Sequence, residues 1–265
     1  MTPDPTARPD GALLLAIDTA TRTAVVALGD RDGRLVGEER WSSQHRHGSE
    51  LLPHLDTLFG ATGTALADVG AVVAGVGPGS FTGLRVGLAT AKVVAYSRHI
   101  PVVAVSTLEA IAHGALYPSD TPLHGDPSRV AVVLPAGTTD RYLALVGRGA
   151  DELPALVEPP RLVPGTAFGG RSLSTWVGSV GGVAGVGVSL VAVDLEAAEI
   201  GIGDAAADAG TAAVKQLGRS LLRIGAARLL VGATTHLAEL VPAYVALPRG
   251  IAEAVSGMAW SPDLR

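Results

Sequence analysis

No cysteine occurs among the 265 residues, which excludes disulfides, thiolate zinc sites and cysteine-held iron–sulfur clusters. That usage suits a reducing compartment. Lysine is nearly missing too: it stands only at positions 92 and 215, and every other basic side chain is Arg. With the excess of Ala, Val and Gly, this reads as compositional bias. Positive charge is in short supply, with a formal net charge of −5, which argues against a free-standing RNA or DNA binder. No apolar run reaches the length of a membrane span, because Gly, Pro or a charge interrupts each one; the expected localisation is cytoplasmic. The opening MTPDPTARPDGA lacks the basic and apolar regions of a signal peptide, and residues 1–11 read as a disordered tail. What is present is apolar: 48% of residues against 17% charged, the balance of a folded chain with a real core.

Three β-rich runs come first, LLLAID (13–18), TAVVAL (23–28) and RLVGEERW (34–41), and GDRDG between the last two is a hairpin signal. ELLPHLDTLFGAT follows as a helix with Leu51, Leu55 and Leu58 on one face. Pro53 is tolerated in a first turn, so the spacing predicts a start near Ser49 or Glu50. AVVAGV (71–76) is a buried strand, and LRVGLATAKVVAYS (84–97) a helix with Leu84, Leu88, Ala91 and Ala95 at helical spacing. IPVVAV (100–105) is a further strand, after which Ser106 and Glu109 stand at capping-box spacing. This order is that of a ribonuclease H-like lobe of an actin-like fold: α/β, with a mixed sheet flanked by helices. Later, PSDTPLHGDPS reads as a linker and RVAVVLPAGTTDRYLALVG as a strand–turn–strand hairpin. Residues 149–206 are Gly/Pro-rich with short apolar runs such as WVGSV and GVSLVAVDL, and 206–227 forms one long helix. The expected organisation is a first lobe over 12–115 and a divergent second lobe over 116–265.

The segment GVGPGSFTGLR joins a strand to a helix through a glycine-rich loop, the layout of many phosphate sites. It fails each template. The loop has no Lys for a P-loop, Thr82 stands where GxGxxG needs its third glycine, and Pro78 stands where GxSxG needs its first. What remains is a stiff corner. Gly77, Gly79 and Gly83 allow unusual backbone or close approach, Pro78 stiffens the turn, and Ser80 and Thr82 are placed to cap the following helix. An anion site at that helix N-terminus is the functional alternative, which Arg85 could serve.

Three other constellations are weaker. His47, Glu50 and His54 share a helix face and are zinc-ligand types, but HxxxH spacing and a fourth ligand are missing, so no metal is expected. Asp18 ends the first strand where actin-like folds position a metal or phosphate, which nominates Asp18 and Thr19 for nucleotide binding. The turn DTATRT, however, lacks the glycines that wrap a phosphate. A Ser80/His113/Asp18 hydrolase can be written on paper, with nothing in the sequence to bring the three together.

In order and spacing, LLLAIDTATRTAVVAL, HGSELLPHL, GVGPGSFTGLRVGLATAK and IPVVAVSTLEAIA closely resemble the TsaB (YeaZ) family over about residues 12–113. PAYVALPRG resembles a drifted form of that family's closing segment, while LPAGTTDRY departs from its usual Asp-Ala-Arg. The resemblance implies a two-lobed actin/Hsp70-like fold and a non-catalytic partner protein in the synthesis of threonylcarbamoyladenosine in tRNA. The implied partners are the paralogous transferase TsaD and the small ATPase TsaE, with tRNA met only through the complex. No cofactor of its own is implied, although ATP or ADP at the partner interface is compatible. TsaD's metal-binding HxxxH gives way here to HGSELLPH. Pairing through the first two helices nominates Glu50, Leu51, Leu52 and His54 on one, and Leu84, Arg85, Leu88, Ala89 and Lys92 on the other. An exposed apolar face of this kind also invites homodimers in isolation. The rival functions are a stand-alone actin-like ATPase or phosphotransferase, and a zinc metallopeptidase.

Overall fold

In the computed structural model, which describes residues 13–43, 47–117, 128–168, 188–195, 204–243 and 245, the first strand organises its lobe. β1 (Leu13–Asp18) pairs antiparallel with β2 (Thr23–Gly29) and parallel with β4 (Val69–Gly75). β2 continues antiparallel into β3 (Leu35–Ser42), and β4 parallel into β5 (Val102–Val105), so the order is β3-β2-β1-β4-β5. A hairpin edge joined to parallel crossovers is the ribonuclease H-like order expected from the sequence. The β2–β3 turn is closed by Asp30, whose carboxylate accepts the Asp32 and Arg34 N–H groups, and by Gly33 at φ +74°.

Two helices cover one face of this sheet. α1 (His47–Thr62) and α2 (Phe81–Arg98) bury Leu51, Leu55, Leu58, Leu88, Ala91 and Val94 against Leu15, Ile17, Val26 and Val72. α1 begins at His47, earlier than predicted, and Pro53 falls in its second turn. Pro53 is exposed, so the hydrogen bond it cannot donate is missing on the solvent side, where water can serve the carbonyl. α3 (Thr107–Leu116) lies on the opposite face, with Leu108 and Ile111 buried in the core there. Its expected capping box is half made: Glu109 accepts the Ser106 N–H at 3.3 Å, whereas the Ser106 hydroxyl turns to the Gly77 carbonyl.

The second sheet runs β10-β6-β7-β8, with β9 also paired to β7. β6 (Arg129–Ala136) and β7 (Asp140–Arg148) are the predicted hairpin. β8 (Pro154–Leu156) and β9 (Arg161–Val163) add antiparallel to β7, and β10 (Val188–Ala192) adds parallel to β6. The N-terminal tail, WVGSV, the linker over 118–127 and most of PAYVALPRG lie outside the described residues.

The single helix expected over 206–227 is two helices, α4 (Asp204–Lys215) and α5 (Leu217–Leu230), parted at Gln216 with φ −98° and ψ 1°. Arg40 Nη1 donates to the Lys215 carbonyl at 3.1 Å, satisfying one of the acceptors that a helix end leaves bare. α4 packs on β10 and α3, while α5 crosses to the first sheet and lies against β1, β2 and β5. Gly225 of α5 sits so close to Val73 that a Cβ there would collide with it. The chain then stays on the first lobe: the Thr235 N–H reaches the Val102 carbonyl and the Ala243 N–H the Val76 carbonyl, each at 2.8 Å. A boundary at 115/116 therefore divides the strands but not the chain, because α5 and residues 235–243 return to the first lobe. One core spans both lobes, joining Leu14 and Val73 to Ile111, Val132, Val146 and Leu221.

Candidate functional site

The glycine-rich loop is closed by protein bonds. Gly77 has φ +87° and precedes a cis bond to Pro78; its N–H donates to the Thr107 hydroxyl at 3.1 Å and its carbonyl accepts the Thr107 N–H at 3.0 Å. The Ser80 N–H donates to the Ala20 carbonyl at 2.7 Å, and Gly79 lies so close to that carbonyl that no Cβ fits. Ser80 caps α2 by accepting the Gly83 N–H at 3.2 Å. Thr82, the other expected cap, is an exposed residue of the first helical turn, because Ser80 already occupies the capping position. The Gly83 carbonyl takes the Thr19 hydroxyl at 2.7 Å. The loop is thus a corner braced from two sides.

Asp18 is the centre of that bracing. It is fully buried; one carboxylate oxygen accepts the Ala20 N–H at 2.8 Å and the other the Thr107 hydroxyl at 2.7 Å. Burial pushes its carboxyl up to about 6, against the lowering pull of those two bonds. Thr19 is buried as well. Neither residue reaches solvent, so in place of the nucleotide contacts expected from position alone they tie the β1–β2 turn to α2 and α3. The paper triad is dispersed: Asp18 serves Thr107, Ser80 caps α2, and His113 Nδ1 pairs with Ser220 Oγ at 3.0 Å. Burial first, and then the Arg223 charge, pull His113 down to about 4.

The polar side chains of α1 are also committed to packing. Glu50 accepts the Trp41 indole N–H at 3.1 Å, and the His54 ring stacks on Trp41 with centroids 4.0 Å apart. His54 Nδ1 lies 3.5 Å from Glu39. The side chain of His47 lies outside the described residues. Among the described residues, no group of three His, Cys, Asp or Glu side chains stands where it could hold a metal ion.

The structure sorts the nominated interface residues by face. Leu51, Leu84 and Leu88 are core residues of the first lobe and cannot touch a partner in this conformation. Their inward position is the one the helical periodicity gave them. Leu52, Arg85 and Ala89 are exposed, and Lys92 is half-buried. Sequence reasoning missed the outward residues beside them: Phe81, Val93 and Tyr96 follow Arg85 and Ala89 along one stripe of α2, with Val93 66% and Tyr96 73% exposed. Their signal was legible, since 81, 85, 89, 93 and 96 keep helical spacing. The Arg85 guanidinium lies 3.8 Å over the Phe81 ring, so the start of the stripe is a cation held on an aromatic face. With Leu52 of α1, 63% exposed, the pair of helices presents an apolar surface with two basic side chains.

Fold and site together define a two-lobed actin/Hsp70-like protein whose strand-to-helix loop is sealed and whose first two helices present an open apolar face. A family model for TsaD, tRNA N6-adenosine threonylcarbamoyltransferase, matches residues 40–160. The chain is similar to the tRNA threonylcarbamoyladenosine biosynthesis protein TsaB of Escherichia coli K12, 40% identical over 102 residues, or 38% of this chain and 43% of that protein. It is similar also to the TsaB of Bacillus subtilis 168, 36% identical over 99 residues, 37% of this chain and 43% of that one. Among solved structures, YeaZ from Pseudomonas aeruginosa matches with a TM-score of 0.63 at 24% identity, covering 88% of this chain and 99% of that chain, a likeness of fold. The aligned part spans less than half the length of these curated relatives. Over these matched stretches the chain is similar to the TsaB (YeaZ) proteins.

Proposed function

We propose that this chain is a non-catalytic subunit in threonylcarbamoyladenosine modification of tRNA, pairing with a TsaD-like transferase and activating or stabilising it. The observation that carries the reading is the outward stripe of α1 and α2. Leu52, Val93 and Tyr96 are large apolar side chains exposed on helices whose inward faces are packed on the sheet. Similarity to the TsaB proteins supports a TsaD-like partner for that face. The sealing of Asp18 and Thr19 supports a subunit that acts by contact rather than by its own phosphate chemistry. A TsaE-like ATPase joins the pair, tRNA reaches this subunit through the complex, and any ATP or ADP sits at the shared interface.

The test is reconstitution with TsaD, TsaE, the adenylate donor and tRNA. Modification should depend on this chain, and a double change, Val93→Glu with Tyr96→Glu, should abolish both modification and co-purification with TsaD while leaving the melting temperature unchanged. Equal modification without the chain sinks the proposal. Loss of a self-paired dimer with TsaD capture intact assigns the stripe to a second copy instead.

A further inference from the structure

Chain-wide, acids outnumber bases, 25 Asp and Glu against 20 Lys and Arg, but the outward face of α5 reverses that balance. Arg219 and Arg223 stand four residues apart in its first two turns, about 6 Å of helix rise, and both are exposed. Lys215, four residues before Arg219 and exposed as well, leads into them from the end of α4. Lys215, Arg219 and Arg223 make no salt bridge among the described residues. Arg40 of β3 adjoins through its bond to the Lys215 carbonyl, and Arg223 Nη1 donates to the Asp32 carbonyl at 3.2 Å. The carboxylates beside this stripe are accounted for. Glu38 lies 3.5 Å from Arg40; burial pushes its carboxyl up, against the pull of Arg40 and Arg219. Asp30 and Asp32 are matched by Arg34, at 3.8 and 3.2 Å. Arg40, Lys215, Arg219 and Arg223 therefore share the one carboxylate of Glu38.

We infer that this stripe, Lys215, Arg219 and Arg223, binds the phosphate backbone of RNA. Resting on the function proposed above, it is a direct contact between this subunit and the tRNA being modified. Arg forks and a Lys ammonium are the side chains that match phosphate oxygens. The face does not suit a protein, whose interfaces need an apolar centre. Among the described residues of α4 and α5, the first exposed large apolar side chain is Leu230, at the far end of α5. No aromatic residue occurs in α5, so there is no platform on which bases could stack, and the contact is with the backbone rather than the sequence. α5 packs with α3 on the sheet face opposite α1 and α2, so a transferase seated on those two helices leaves the stripe open. A net charge of −5 keeps the free chain a poor RNA binder, and the stripe adds to binding that the transferase provides.

The test is the affinity of labelled tRNA for the complex of the full chain with TsaD, read by fluorescence anisotropy from about 50 to 200 mM salt. Arg219→Gln together with Arg223→Gln should weaken binding roughly fivefold or more at the low-salt end and lower the salt slope by about 1 to 2. Lys215→Gln alone should lower both by a smaller step. Co-purification with TsaD and the melting temperature should not move, because the three side chains are exposed and away from α1 and α2. Arg129→Gln, which removes an exposed charge from the start of β6, should leave tRNA binding unchanged. Intact pairing with TsaD, but with tRNA affinity and salt slope equal to the parent in both stripe variants, overturns this inference and leaves the proposed function standing. Failure of the parent chain to pair with TsaD overturns that function instead. Unchanged tRNA binding with lost recruitment of the TsaE-like ATPase overturns the RNA assignment in favour of an acidic protein surface.

Discussion

On its inward face α2 carries Gly83, Leu84, Gly87, Leu88, Ala91, Val94 and Ala95; on its outward face it carries Phe81, Arg85, Ala89, Val93 and Tyr96. The inward set is small or aliphatic and lies on the sheet, with Gly87 so close to the Thr19 hydroxyl that a Cβ would displace it. The outward set includes two large aromatic rings and an Arg, residue types that favour protein interfaces. One helix therefore does two jobs, and residues four apart in sequence share a job, while a neighbour such as Leu84 beside Arg85 can have the other. A partner residue chosen by position in a motif alone can fall on either face, as Leu84 and Leu88 show beside Arg85 and Ala89.

The sharpest way to break this contrast is a pair of truncations. Leu88→Ala should cost about 2–5 kcal/mol in urea unfolding, because it empties a filled site in the core. Val93→Ala should stay within about 0.5 kcal/mol. Similar costs for the two would show that the faces are not distinct. For the same reason Leu51→Glu or Leu88→Glu destroys the fold before it can report on pairing, and only outward substitutions test the partner.

A second test moves to the corner that aims α2. Gly79→Ala places a methyl against the Ala20 carbonyl and should destabilise by about 1–3 kcal/mol. It should also speed hydrogen exchange at the Ser80 amide, whose bond to Ala20 holds the loop to the β1–β2 turn. Unchanged exchange at that amide would remove the loop from the bracing.

The mildest effect is one of pH. Asp18 is raised from 3.8 to about 6, so the folded state holds its proton more tightly, and stability from this group falls as pH rises from about 4 to 6. His113 is lowered from 6.5 to about 4, so the unfolded state takes up the proton first, and its contribution rises with pH over nearly the same window. The two slopes oppose each other. Asp18→Asn should therefore leave a chain that loses stability more steeply than the parent on acidification from pH 6.5 to 4, read from melting temperatures. A shallower acid slope in Asp18→Asn would reverse the sign assigned to that carboxyl.

Much of the first lobe was legible because its signals are local. LLLAID, AVVAGV and IPVVAV are apolar runs bounded by turn residues, and each is a strand close to the predicted bounds. The inward leucines of α1 and α2 followed from helical spacing alone. The site was less legible. Asp18 was recognised as a special residue at a strand end, but its partner Thr107 lies 89 positions away, and no pattern in the chain announces that bond. Phe81 and Tyr96 went unremarked because an exposed aromatic gains meaning only once the other face is known to be full. Pro53 drew the predicted start of α1 forward, since propensity rules count its lost hydrogen bond without knowing that it faces water.

By itself the sequence determined the strands and helices of the first lobe, the hairpin of the second, and the failure of GPGSFTG as a phosphate or nucleophile loop. These rest on periodicity and side-chain chemistry over a few residues. Tertiary structure alone decided that the late helix parts at Gln216, that α5 returns to cover the first sheet, and that Arg40 of β3 meets Lys215 at the end of α4. Each of those outcomes depends on which surfaces are still unburied when the lobes pack together, and that is a property of the assembled core rather than of any stretch of chain.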